Sequence, residues 1–159
     1  MSKVVDLTSA VSFRMKALET LLRSYQFNFT SEEELQCAVE AILTQTKVPF
    51  EREYEFPPIV TDEPRHVTRV YSDAGVSDVL SKPRRTISKD RIDFIVGDIG
   101  LEIKIGFSYT DVVRQLHRYA AHDEIKALML LTSRSQHTMP AEISGKTLCT
   151  VNIGLASSL

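Results

Sequence analysis

Residues 101–106, Leu-Glu-Ile-Lys-Ile-Gly, place a glutamate and a lysine two apart inside an otherwise apolar run. Successive residues of a strand point to opposite faces. Glu102 and Lys104 therefore share one face, while Leu101, Ile103 and Ile105 share the other. A fold that buries such a strand must pair those charges or give them a metal, because an uncompensated buried charge costs several kcal/mol. The tripeptide Glu-Ile-Lys recurs at residues 124–126, so the surroundings have to separate the two copies.

Those surroundings alternate between helical and strand-like periods. Residues 8–24 predict a helix with Val11, Met15, Leu18 and Leu22 on one stripe. A second helix follows in TSEEELQCAVEAILTQT, capped by Thr30 or Ser31, with acids in its first turn and Leu35, Val39 and Ile42 inward. VPFEREYEF alternates as a half-exposed strand does. Residues 57–90 are broken by prolines and glycine, and VSDVLSK reads as a short helix or as nothing regular. RIDFIVGD and GLEIKIG predict a hairpin joined around Asp98 and Gly100. SYTDVVRQLHRYAAHDE predicts a helix, capped by Ser108 or Thr110, that buries Val112, Leu116, Tyr119 and Ala120. KALMLLTSR and KTLCTVNIG are further strands. This order indicates an α/β or α+β domain on one central sheet.

At 159 residues the chain suits a single domain, residues 1–159, with a core that needs no metal or disulfide staple. No apolar stretch is long enough to span a bilayer, and MSKVVDLTSAV lacks a signal-peptide layout, so no membrane association and a cytoplasmic location are expected. Cys37 and Cys149 are too few for a disulfide framework. The net charge of −2 does not advertise nucleic-acid binding, but it is unevenly placed. Nine acids face Lys47 and Arg52 between Glu32 and Glu63, whereas five bases face only Asp90 between Lys82 and Arg91. The basic stretch is either a solvated loop or a local attractor for a polyanion.

Asp93 alternates with Ile92 and Phe94, and a tight hairpin would bring it within reach of Glu102. Two adjacent carboxylates repel unless a cation lies between them, and a hard divalent ion is the natural occupant. Asp93 followed by Glu102-Ile103-Lys104 resembles the signature of the PD-(D/E)XK nuclease superfamily, the restriction-endonuclease-like fold. A proline before the aspartate is often absent in that family, and Ile92 holds the position here. Glu32 to Gln36 resembles the E-x-x-L-Q start of several branches, including the virus-type replication–repair nucleases, with Glu33 as the fallback for Glu32. Gln115 and Tyr119 resemble the Q-x-x-x-Y motif of RecB-like nucleases, and four residues apart they share a helix face. The element order around Asp93 and Glu102 is also that of the superfamily core. The second Glu-Ile-Lys follows a helix end and precedes its strand, so Lys126 is expected at the surface.

The resemblance spans about residues 30–134 and implies a mixed sheet flanked by helices. An N-terminal helix and a long insertion, residues 57–90, between the first two core strands depart from the pattern. It implies a DNA phosphodiester hydrolase that uses Mg²⁺ or Mn²⁺. Asp93, Glu102 and the Ile103 carbonyl would hold the metal, with Glu32 completing or supporting a second site. Lys104 would position the attacking water. Gln115 and Tyr119 would act on a phosphate or on the lysine, and Lys82, Arg84, Arg85 and Lys89 are candidate phosphate contacts. His66, His117, His122 and His137 do not form a zinc spacing. Small size points to a homodimer or a larger complex. Two other readings stand beside this one. The first is a catalytically weak nucleic-acid-binding or complex-assembly protein on the same fold. The second is a structural protein in which Asp93, Glu102 and Lys104 form only a buried ion-pair network.

Overall fold

The computed structural model describes residues 7–133 and 138–154. His137 lies outside them. Two units are present, one made of the residues on either side of Phe56–Asp90 and the other of Phe56–Asp90 itself.

The first unit is a mixed α/β arrangement. It contains α1 (Leu7–Arg23), α2 (Glu32–Gln45), β1 (Glu51–Glu55), β6 (Arg91–Val96), β7 (Ile99–Lys104), α3 (Tyr109–Ala120), β8 (Ala127–Thr132), β9 (Glu142–Ile143) and β10 (Lys146–Asn152). Its six strands form one sheet in the order β1-β6-β7-β8-β10-β9. The β1–β6 and β6–β7 pairs are antiparallel, whereas β7–β8 and β8–β10 are parallel. β8 therefore has parallel neighbours on both sides, and all six of its residues are buried. That placement explains its unbroken apolar run, since a strand covered on both faces has no solvent side to make polar.

One face of the sheet carries the main core. Met15, Leu18 and Leu22 of α1 and Leu35, Val39, Ile42 and Leu43 of α2 meet Phe94, Leu101, Ile103, Met129, Leu131 and Val151. Val11 is partly buried against this cluster. Burial of such side chains contributes about 1.5–3 kcal/mol each, so the two apolar stripes fix both helices here. Ser31 caps α2 by accepting from the Glu34 N–H at 3.2 Å. On the other face α3 packs against β8 and β9, with the four expected side chains buried. Ser108 is its N-cap residue but makes no side-chain cap bond.

The β6–β7 turn falls at Gly97–Asp98, earlier than the sequence implied, because Ile99 and Gly100 already pair with Val96 and Ile95. Gly97 takes φ +64°, the left-handed conformation such tight turns need. Gly100 serves packing instead. A Cβ there would sit 2.7 Å from Ile92 Cδ1 and 2.8 Å from Ile125 Cδ1. The short β9 was not foreseen. Ser144 and Gly145, both at positive φ, turn it into β10.

The second unit contains β2 (Val60–Glu63), β3 (Val67–Ser72), β4 (Gly75–Leu80) and β5 (Arg84–Ile87), in two antiparallel pairs, β2–β5 and β3–β4. VSDVLSK is thus mostly a strand and not a helix. Its Val76, Val79 and Leu80 pair across to β3, and Gly75 at φ +117° closes the turn. Proline and glycine marked the ends of short strands here.

Candidate functional site

The β6–β7 ladder stops at the pair Phe94–Leu101. Continued by one step it would join Asp93 to Glu102. Instead the two side chains enter the gap. Asp93 Oδ2 accepts the Ile103 N–H at 2.8 Å, and the Asp93 N–H donates to Glu102 Oε2 at 3.4 Å. The β1–β6 ladder also skips Asp93, pairing Arg52 with Phe94 and Tyr54 with Ile92. The skipped β1 residue, Glu53, sits at φ +50°. A non-glycine residue in that region is strained and marks a place where the surroundings over-determine the backbone. Asp93 thus occupies a local opening in a sheet that is otherwise regular.

Lys104 lies at the end of β7. Its ammonium is 3.1 Å from Glu102 Oε1 and 3.5 Å from Glu32 Oε1. Glu32 is the first residue of α2, and its other oxygen accepts the Ile105 N–H at 3.3 Å. Glu33 is exposed. The local fold explains the choice: the capped first turn of α2 ends beside the last residues of β7, and Glu32 spans that junction.

Burial sets the electrostatics. The Glu102 side chain is only 3% exposed. Burial, and then the neighbouring Asp93 charge, push its pKa up to about 7, against the pull of Lys104. Asp93 is also raised, first by burial, while the Ile103 N–H and Lys104 pull it down and Glu32 and Glu53 push it up. Burial alone would depress Lys104, yet Glu102 and Glu32 hold it above the ordinary lysine range. The result is an acid pair that resists full ionisation beside a lysine that stays charged.

Sequence reasoning missed the support behind Asp93. Gln36, one turn along α2 from Glu32, donates its amide to Asp93 Oδ1 at 3.0 Å. Arg52 of β1 reaches Gln36 Oε1 at 3.5 Å, and it also bonds Glu40 and approaches Cys37 Sγ at 3.9 Å. The signal was present as the i, i+4 spacing of Glu32, Gln36 and Glu40, which lines them along one helix face.

Gln115 and Tyr119 come together as their spacing predicted. The Gln115 amide donates to the Tyr119 hydroxyl at 2.5 Å. Tyr119 is buried, and its hydroxyl donates to the Arg91 carbonyl at 2.6 Å. Burial and the nearby Glu102 charge raise its pKa. The tyrosine thus braces the strand that carries Asp93.

The basic residues belong to the second unit. Lys82, Arg84, Arg85 and Lys89 are all exposed. Arg84 and Arg85 stand on β5 opposite Glu63 and Asp62 of β2. His66 and His117 are exposed, with His117 Nδ1 2.8 Å from Ser144 Oγ, while His122 is buried. Lys126 is exposed and its N–H donates to the Asp98 carbonyl, just before β8 begins.

Among the described residues, no group of three or more His, Cys, Asp or Glu is arranged to hold a metal ion. Asp93 and Glu102 offer two hard carboxylates. That set fits Mg²⁺, which commonly takes one or two carboxylates and completes its shell with water and phosphate oxygens. It does not fit a closed zinc cage. A separate apolar cavity of about 470 Å³ is lined by Leu18, Leu21, Val48, Val96 and Ile99, with none of the acid–lysine cluster among its residues. No helix among the described residues is long and apolar enough to cross a membrane. No protein-family model, curated protein or solved structure matches the chain.

Proposed function

We propose that this chain is a metal-dependent nuclease that hydrolyses phosphodiester bonds of DNA, with Mg²⁺ or Mn²⁺ as its cofactor. The observation that carries the reading is the opening at Asp93, where a half-buried carboxylate, the buried Glu102 carboxylate and a charged lysine converge. The order α2, β1, β6, β7, α3, β8 supports a restriction-endonuclease-like core, because the superfamily uses that order with these residue types on these elements.

In this reading Asp93 and Glu102 hold the cation. When bound, the ion supplies Lewis-acid polarisation of the phosphate and a more acidic water. The chain's own residues set the geometry. The Ile103 N–H and Gln36 fix the two oxygens of Asp93 from opposite sides. Glu32 and Glu102 hold the Lys104 ammonium, which donates to the attacking water and to charge developing on phosphate. Burial of Glu102 keeps bulk water from screening these interactions. Tyr119, bonded to the Arg91 carbonyl, keeps the start of β6 in place.

A structural ion-pair network is the second reading, favoured by the double pairing of Lys104. Cleavage of labelled DNA with and without divalent metal separates the two. Metal-dependent cutting lost in Lys104→Ala supports the nuclease; a stability loss with no metal effect supports the network.

A further inference from the structure

Every residue of β2, β3, β4 and β5 is exposed. A two-stranded ribbon is marginally stable at best in water, so such ribbons gain from a second surface. The β3–β4 ribbon also carries a pattern. Val67 stands opposite Leu80, Arg69 opposite Asp78, and Tyr71 opposite Val76. Residues directly opposite one another share a face. One face therefore runs apolar pair, ion pair, apolar pair, with Arg69 Nε 3.0 Å from Asp78 Oδ1. Its apolar members are prominent: Val67 is 62% exposed, Leu80 51%, Tyr71 74% and Val76 60%.

We propose that this face is a homodimer interface, covered by the same face of a second copy. The pattern is self-complementary about a two-fold axis running lengthwise between the two strands. That rotation lays each strand over the other strand of the second copy. Val67 then covers the partner's Leu80, Arg69 meets the partner's Asp78, and Tyr71 covers the partner's Val76. Apolar meets apolar and cation meets anion, as an isologous interface requires. A two-fold axis across the strands would instead stack like charges. The face has no surplus of cations, which favours a second copy over a nucleic acid, whose phosphates call for Lys and Arg in excess. Six side chains per copy fall short of the roughly 20–30 residues of a standard interface, so the dimer is a weak one.

Sedimentation equilibrium from about 10 to about 500 μM, a range suited to weak association, tests this on the intact chain. Wild type should self-associate. Arg69→Asp and Asp78→Arg, each placing like charges across the interface, should weaken association roughly tenfold or more. An equimolar mixture of the two variants restores opposite charges between copies and should recover association close to wild type. Recovery on mixing also excludes misfolding, since both variants lose the internal ion pair. Monomeric wild type throughout, association indifferent to both changes, or no recovery on mixing would each overturn the proposal. So would a monomeric wild type whose duplex-DNA binding is lost in Arg69→Asp, which would assign the ribbon to nucleic acid. The readout is molecular mass, so the result stands apart from the nuclease reading.

Discussion

Gln36 holds Asp93 in place, its amide 3.0 Å from Oδ1. The orientation of that amide is forced. Arg52, on its far side, can only donate, so the amide oxygen turns to Arg52 and the NH2 group to Asp93. Outer partners of this kind tune a site without touching its ligand. Gln36→Leu should therefore raise the Mn²⁺ concentration for half-maximal cleavage by about 10–100-fold, with a stability loss of only about 1 kcal/mol. Titration of activity against Mn²⁺, beside urea denaturation, checks both. Equal metal dependence in variant and wild type would remove Gln36 from the site.

Glu102 sets a pH dependence of stability. Its folded-state pKa of about 7 lies above its ordinary value of 4.5. The folded chain therefore binds the proton more tightly than the unfolded chain. The resulting stabilisation is full below about pH 4.5 and is lost as pH rises through about 7. A shift of that size corresponds to a loss on the order of 3 kcal/mol between those limits. Glu102→Gln should flatten this slope and be at least as stable as wild type at pH 8, since it carries no charge to bury. Urea unfolding of both proteins at pH 5 and pH 8 measures it. An unchanged slope in the variant would assign the dependence to another group.

The parts of this site that lie close in sequence were legible; the parts that converge from a distance were less so. Glu102 and Lys104 are two apart on one strand, and strand alternation alone puts them together. Asp93 needed only a hairpin. Glu32 was nominated by its place on α2 and by resemblance, and it does reach Lys104 across 72 positions. Gln36 and Arg52 were invisible as partners because their meeting depends on how α2 crosses β1, which no local pattern encodes. The opening at Asp93 was equally hidden. A regular hairpin and one that drops a pair differ in backbone register, not in residue type. In Phe56–Asp90 the strands escaped notice because they bury nothing, so the usual alternation of apolar and polar residues carried no core signal.

Tyr119 separates bracing from chemistry. Tyr119→Phe removes the hydroxyl that bonds the Arg91 carbonyl while keeping the ring. It should cost about 1–3 kcal/mol, because the carbonyl loses its partner, and it should reduce cleavage without abolishing it. Abolished cleavage at unchanged stability would instead give the hydroxyl a part in the chemistry, through Glu102 or on the substrate.

Gly100 reports on the sheet itself. Gly100→Ala would press a methyl group against Ile92 and Ile125, both closer than normal contact. A loss of about 1–3 kcal/mol is expected from such overpacking. Chemical denaturation checks it, and an unaffected variant would contradict the packing described for this face.

We propose Asp93, Glu102 and Lys104 as a metal-dependent phosphodiesterase site. The most direct measurement is cleavage of labelled single-stranded, duplex and branched DNA by wild type and Lys104→Ala in EDTA, Mg²⁺ and Mn²⁺. Each protein is melted under the same conditions. Wild type should cut only with metal, metal should raise the melting temperature of both proteins, and cutting should fall by about 100-fold or more in Lys104→Ala. A wild type that neither cuts any of these substrates nor is stabilised by either metal would contradict that assignment, and would leave a structural network in which Glu32 and Glu102 pair with Lys104 and Asp93 bonds Gln36 and the Ile103 N–H.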